Sequence, residues 1–227
     1  MGEAKKRGTI EERKAQAIAQ RKREENQQKY LEEKLLAFAK RKLEKPKPRL
    51  SQFTDSITNS LATKNYFAAL IMALTLPDIC CSLEDEQRRT NVTKYAAWFT
   101  KYVGHNYVHA LGGSPDETIF LTGEECYALR CTYLHKGFNQ IEDEKAVRDY
   151  IDSAKRIEFM AEMSSDCLKV NGVLLLKLEN FCQYIIQGVN QWLTENTKNS
   201  TINRRMLEIP EIFTEGFSPS PGVFIGG

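Results

Sequence analysis

Thr122-Gly-Glu-Glu-Cys-Tyr-Ala-Leu-Arg-Cys-Thr-Tyr-Leu-His-Lys-Gly137 is the stretch on which the reading of this chain turns. Thr122 followed three residues later by Glu125 forms a capping box, in which a hydroxyl and a carboxylate satisfy two N–H groups that a helix start leaves without partners. Gly137 after Lys136 supplies a residue able to turn left-handed, and a lysine in the last turn suits the helix dipole. Between these ends Cys126, Leu129, Tyr133 and Leu134 recur at helical spacing and make an apolar stripe. Arg130 lies beside that stripe. His135, five residues on, is rotated by about 140° at 3.6 residues per turn. Two polar groups therefore flank a buried face.

Working outward, Asn65-Tyr-Phe-Ala-Ala-Leu-Ile-Met-Ala-Leu-Thr-Leu76 is apolar nearly all round, as expected of a helix buried on most sides. Pro77 and Asp78 are expected to break or bend it, with Asp78 capping a further turn at Ile79–Leu83; the alternative for Asp78 is to face Arg130 on the neighbouring helix. After a polar loop at 84–91, Asn91–Val103 reads as an amphipathic helix burying Val92, Tyr95, Trp98, Phe99 and Tyr102. Arg156–Met160 and Val173–Leu178 read as strands, and Asn171-Gly172 between apolar runs is a hairpin signal. Phe181–Leu193 reads as a final amphipathic helix. A short charged helix is expected over Lys145–Lys155.

An arginine and, a turn or so later, a histidine on a capped helix that is otherwise core resembles the motif of the HEPN superfamily. Those are small α-helical domains, many of them metal-independent ribonucleases. Arg130-Cys-Thr-Tyr-Leu-His135 fits the shortest spacing of that motif, and Asn65–Leu83 resembles the corresponding stretch of bacterial HEPN-like proteins. The residue after the arginine, often Asn, Asp or His in the family, is Cys131 here, and Gly137 stands where some members carry tyrosine. The resemblance covers roughly residues 52 to 196. It implies a HEPN-like helical bundle, and together with the strand signals and the composition of residues 9–44 the expected fold is mainly α, such a bundle with a small β-hairpin, preceded by a long basic N-terminal helix. It further implies a dimer in which Arg130 clamps a phosphate and His135 acts as general acid/base on RNA, with Cys131 in a supporting position. Prokaryotic toxin or phage-defence systems are the implied setting, with an antitoxin or defence-system protein as a possible partner. The alternative is a non-catalytic module on the same scaffold that binds RNA, a nucleotide or a protein.

Charge divides the chain into an arm at 1–50, a helical domain at 51–196 and a tail at 197–227. Of 227 residues, 32 are Lys or Arg and 30 are Asp or Glu. Residues 1–50 hold 16 of those cations against 8 acids, a net of +8, so the remainder holds 16 against 22, a net of −6. Residues 9–44 lack proline and glycine and favour a long exposed helix. The arm's basic residues Lys5, Lys6, Arg7, Arg21, Lys22 and Arg23 are candidates for contacts with nucleic-acid phosphates, set against the plainer reading of a solvated helix. The Pro/Gly-rich tail has no composition for a core of its own, although Ile202–Ile212 could dock locally.

The six cysteines form no CxxC pair or zinc spacing and read as reduced core residues. No run of 18 apolar residues and no signal-peptide pattern occurs, so a cytoplasmic protein without a membrane partner is expected. His105 and His109 would share one face if helical, and with His135 could ligate a metal. The expectation is instead half-buried histidines, or a shared cleft with His135, with no metal and no cofactor.

Overall fold

The computed structural model describes residues 9–43, 48–110, 117–148, 154–212, 217–220 and 223–225, and it divides into two compact units, Met1–Lys47 and Pro48–Gly227. Within the first unit α1 spans Ile10–Leu43. Its start is a second reciprocal cap: the Thr9 amide donates to Glu12 Oε2 at 2.7 Å and the Glu12 amide to Thr9 Oγ1 at 3.2 Å. Arg21, Lys22 and Arg23 are exposed along it, whereas Lys5, Lys6 and Arg7 lie outside the described residues.

The second unit is mainly helical. Helices α2 (Ser51–Ala62), α3 (Tyr66–Glu84), α4 (Val92–Tyr102) and α5 (Gly123–Lys136) are followed by α6 (Leu178–Asn196) and the short α7 (Ser200–Met206). The α3 helix is the axis of the bundle, packed against α2, α4, α5 and α6. Ten of its side chains are buried, consistent with its apolar composition. By length and composition it is one helix able to cross a bilayer, and just over half of it, 56%, is buried inside the protein. It continues as one helix through Pro77, so a break there and the capping role of Asp78 are overturned. Neighbouring helices bury Pro77, and packing energy replaces the single backbone hydrogen bond that proline removes.

The α4 and α5 helices approach closely. A Cβ built on Gly123 would stand 2.5 Å from the Ala96 Cα and carbonyl oxygen, so only glycine fits at that crossing. Both caps of α5 form as the sequence implies. The Thr122 hydroxyl accepts from the Glu125 amide, the Glu125 carboxylate accepts from the Thr122 amide, and Gly137 closes the helix at φ 71°. Glu125 is buried, and its other oxygen accepts from the Ala154 amide at 2.7 Å, tying the helix start to the chain entering the sheet.

Strands β1 (Val108–Ala110) and β2 (Glu117–Ile119) pair antiparallel. The larger sheet comprises β3 (Arg156–Met160), β4 (Cys167–Val170) and β5 (Val173–Lys177) in the order β3-β5-β4. The β4–β5 hairpin turns at Asn171 and Gly172, with φ 51° and 77°, the pair of positive values that a tight hairpin requires. The β3 strand adds to β5 in parallel. A small antiparallel pair, β6 (Phe217–Ser220) and β7 (Val223–Ile225), lies near the C-terminus. Residues 145–148 are turns rather than the start of a charged helix, and 149–153 lie outside the described residues.

Residues 202–209 dock on the second unit, the local docking that the sequence allows for Ile202–Ile212. Ile202 and Ile209 are buried, Arg205 Nη1 donates to the carbonyls of Leu83 (2.7 Å) and Asp85 (2.8 Å) at the end of α3, and Arg49 Nη1 donates to the Ile209 carbonyl at 2.9 Å. These cations meet carbonyls that a helix end and a loop leave unpaired.

Candidate functional site

Arg130 and His135 converge. One turn and a half of α5 separates them, yet Arg130 Nη1 lies 3.2 Å from His135 Nε2. Arginine is a donor only, so this contact is a hydrogen bond when Nε2 is unprotonated and the ring proton sits on Nδ1. The His135 side is exposed, while Arg130 lies in the wall of the bundle with 20% of its side chain accessible.

Asp78 fixes the arginine. Its Oδ2 accepts from Arg130 Nε across the α3–α5 contact, with 10% of the Asp78 side chain exposed. Of the two roles open to Asp78 in the sequence, facing Arg130 is the one the fold selects, because in an uninterrupted helix the N–H groups two and three residues on already have backbone acceptors. Burial pushes the Asp78 carboxyl up, and the Arg130 guanidinium opposes that shift only in part. Burial disfavours the charged guanidinium too, but the Asp78 carboxylate and the Cys131 sulfur beside it together outweigh the loss and raise its pKa. Nε is committed to Asp78 and Nη1 meets His135 Nε2 and Cys131 Sγ, and among the described residues Nη2 has no partner.

Cys131 lies against this group, its Sγ 3.9 Å from Arg130 Nη1, a weak contact that would be far stronger from an amide or carboxylate at the same position. Two further residues join the site without any mark in the sequence. Tyr127, one turn before Cys131, has its phenol pushed up by burial and by the neighbouring thiol. Thr90, at the end of the α3–α4 loop, turns its hydroxyl inward beside the Asp78 carboxyl and the Cys81 thiol. Both Thr90 Oγ1 and Asp78 Oδ1 are buried without a hydrogen bond of good geometry. Helical spacing cannot signal a loop residue that reaches back to a preceding helix.

No protein-family profile, curated protein or solved structure matches the chain. The site must therefore be read from its own chemistry. His105 lies in a 3-10 turn (Gly104–Tyr107) and His109 in β1, so the two do not share a helical face, and His109 packs edge-on against Phe120. Among the described residues no group of three or more His, Cys, Asp and Glu side chains is placed to hold a metal ion. What remains is an oriented guanidinium touching an accessible imidazole: a place for an anion, beside a group able to accept a proton.

Proposed function

We propose that Arg130 and His135 form the phosphate-binding and proton-transfer centre of a metal-independent endoribonuclease of the HEPN kind. The supporting observation is the 3.2 Å approach of a partly exposed guanidinium to an imidazole open to solvent. A phosphate oxygen is a stronger acceptor for Nη1 than a neutral imidazole, so a phosphodiester docking on the Nη1–Nη2 edge draws the guanidinium off Nε2. The freed lone pair of His135 then takes the proton of the 2′-hydroxyl. The 2′-oxygen attacks phosphorus, the bond to the 5′-oxygen breaks, and Arg130 balances the charge gathering on the phosphoryl oxygens. A 2′,3′-cyclic phosphate and a 5′-hydroxyl result.

Each chain has one such pair, and protonating the leaving oxygen calls for a second acid. A dimer that brings two pairs together would supply it. Support comes from Phe67 and Ile71, exposed at 71% and 42% on an otherwise buried helix and on the same side of α3 as Asp78. The setting we assign is a cytosolic toxin or defence protein with a regulating partner.

A second reading is favoured by one observation. Asp78 neutralises Arg130, which lowers the electrostatic stabilisation that a pentavalent phosphate would receive. That arrangement suits a module that binds RNA, a nucleotide or a protein without cutting. Incubation with total RNA in EDTA separates the two. Cleavage leaving cyclic phosphate ends, lost in both Arg130→Ala and His135→Ala, supports the nuclease. Intact RNA with a salt-sensitive gel shift supports the binder.

A further inference from the structure

The end of α3 and one face of α4 border a cavity of about 350 Å³. Cys81, Glu84 and Asp85 line it from the first side, and Ala97, Trp98 and Tyr102 from the second. Lys94 and Lys101 line it too, and spacings of three and four put both on the face of α4 that carries Ala97 and Trp98. Most polar groups of this lining are satisfied. The Lys94 ammonium pairs with Asp85, and the Lys101 ammonium donates to Glu195 Oε2 at 2.7 Å and to the Tyr102 hydroxyl at 2.8 Å.

Two groups are not. Glu84 Oε1 accepts from Trp192 Nε1 at 2.6 Å, which orients the carboxylate, yet among the described residues no cation pairs with it. Arg205, which reaches the same end of α3, commits Nη1 to the Leu83 and Asp85 carbonyls. Trp98 is 4% exposed, and its Nε1 is buried without an acceptor among the described residues. A buried donor in that condition is costly and rare. The same cavity lining therefore lacks a cation at one residue and a hydrogen-bond acceptor at another.

Those two needs differ in sign, and together they describe a zwitterion. A simple anion would compete with the carboxylates already on Lys94 and Lys101, and a simple cation would leave the indole N–H unanswered. The remaining lining is apolar: Cys81, Ala97 and the rings of Trp98 and Tyr102, whose centroids lie 5.1 Å apart. The volume is at the small end of ligand sites, which run from about 300 to 1,000 Å³. We propose that this cavity binds a free α-amino acid with an apolar side chain. Its ammonium meets Glu84, its carboxylate accepts from the Trp98 indole, and its side chain lies on Cys81, Ala97 and the two rings. Neither Arg130 nor His135 lines the cavity, so the site is tested apart from the ribonuclease reading.

The chain has two tryptophans, so a nitrogen–proton correlation spectrum of the full chain shows two indole signals, assigned with Trp98→Phe. L-Phenylalanine and L-leucine are titrated beside phenethylamine, which lacks the carboxylate, and 3-phenylpropionate, which lacks the ammonium. The Trp98 signal should move saturably with at least one amino acid, with a dissociation constant of about 1 mM or tighter. Phenethylamine and 3-phenylpropionate should each bind about tenfold more weakly than phenylalanine, and Glu84→Gln, which keeps an oxygen for Trp192 Nε1, should weaken the amino acid about tenfold. A Trp98 signal that neither amino acid moves overturns the proposal. So does binding of either truncated probe as tight as that of phenylalanine, and so does wild-type affinity in Glu84→Gln.

Discussion

Gly123→Ala pits helix propensity against packing at the first residue of α5. In an unconstrained helix, alanine for glycine stabilises by up to about 1 kcal/mol. At this crossing the added methyl would lie 2.5 Å from both Cα and O of Ala96 and 2.9 Å from its carbonyl carbon. Carbon atoms in contact sit at about 3.5–4.0 Å, so the two backbones must part by roughly 1 Å. No rotamer change relieves a clash between a Cβ and a main chain. Separation would loosen the layer in which the Tyr95 hydroxyl donates to the Leu74 carbonyl at 3.1 Å and meets Cys126 Sγ at 3.5 Å. Overpacking of this kind costs about 1–3 kcal/mol, and at the upper part of that range, expected where the clash is with main chain, it exceeds the propensity gain and leaves a net loss of about 1–2 kcal/mol. For a domain of this size the melting temperature should fall by about 2–8 °C, measured by calorimetry on the full chain. Gly104→Ala, whose Cβ would make ordinary contacts at 3.7 Å and beyond, is the control. If Gly123→Ala melts at or above wild type, the close approach of α4 and α5 is wrong.

Asp78→Ala strands Arg130 in the bundle wall; because both groups keep some access to water, urea titration should show a loss of about 1–3 kcal/mol, below the cost of breaking a fully buried pair. Asp78 also carries a pH signature. Its folded pKa is raised above its ordinary 3.8, so its contribution is most favourable below that value and is lost as pH climbs through the folded one. The stability of Asp78→Asn relative to wild type should therefore become steadily more favourable from about pH 4 upward, and a flat difference would contradict the burial of this carboxyl. Burial pushes the Cys81, Cys126 and Cys182 thiols up to about 12, whereas Cys131 is half exposed, so iodoacetamide at mildly alkaline pH should modify Cys131 well before those three, as peptide mass mapping would show. Arg205→Ala removes two hydrogen bonds from the end of α3 and should cost about 1–2 kcal/mol, with faster tryptic cleavage around α7; unchanged proteolysis would mean that this arginine does not fasten the segment.

The helix that carries Arg130 was readable from local chemistry, because a capping box, a periodic stripe and a terminal glycine act within a few residues of one another. The same holds for α3, α4 and α6, where composition and period agree, and for the β4–β5 hairpin, whose Asn171-Gly172 turn is a two-residue signal. Asp78 was misassigned to a cap because the sequence around Pro77 carries a local breaking signal, which tertiary packing overrides. Its partner Arg130 lies 52 positions away, and no local rule pairs them. The two histidines at 105 and 109 looked like one helical face only on the assumption of a helix, and the chain there turns and becomes a strand. Parallel addition of β3 to β5 was equally hidden, since a tight turn specifies only the strands it joins.

The placement of β5 at the middle of its sheet bears on how the protein is made. A ribosome releases Arg156–Met160 and Cys167–Val170 before Val173–Lys177, so the two outer strands emerge without the strand that accepts their hydrogen bonds. The helix that follows directly, Leu178–Asn196, brings Phe181, Ile185, Val189 and Trp192 to the core against α3, so the bundle also waits on late residues. Chains truncated ahead of Val173 would lack both the central strand and Leu178–Asn196, and so present an open apolar α3 and unpaired strand edges together, the combination most prone to association with other nascent chains.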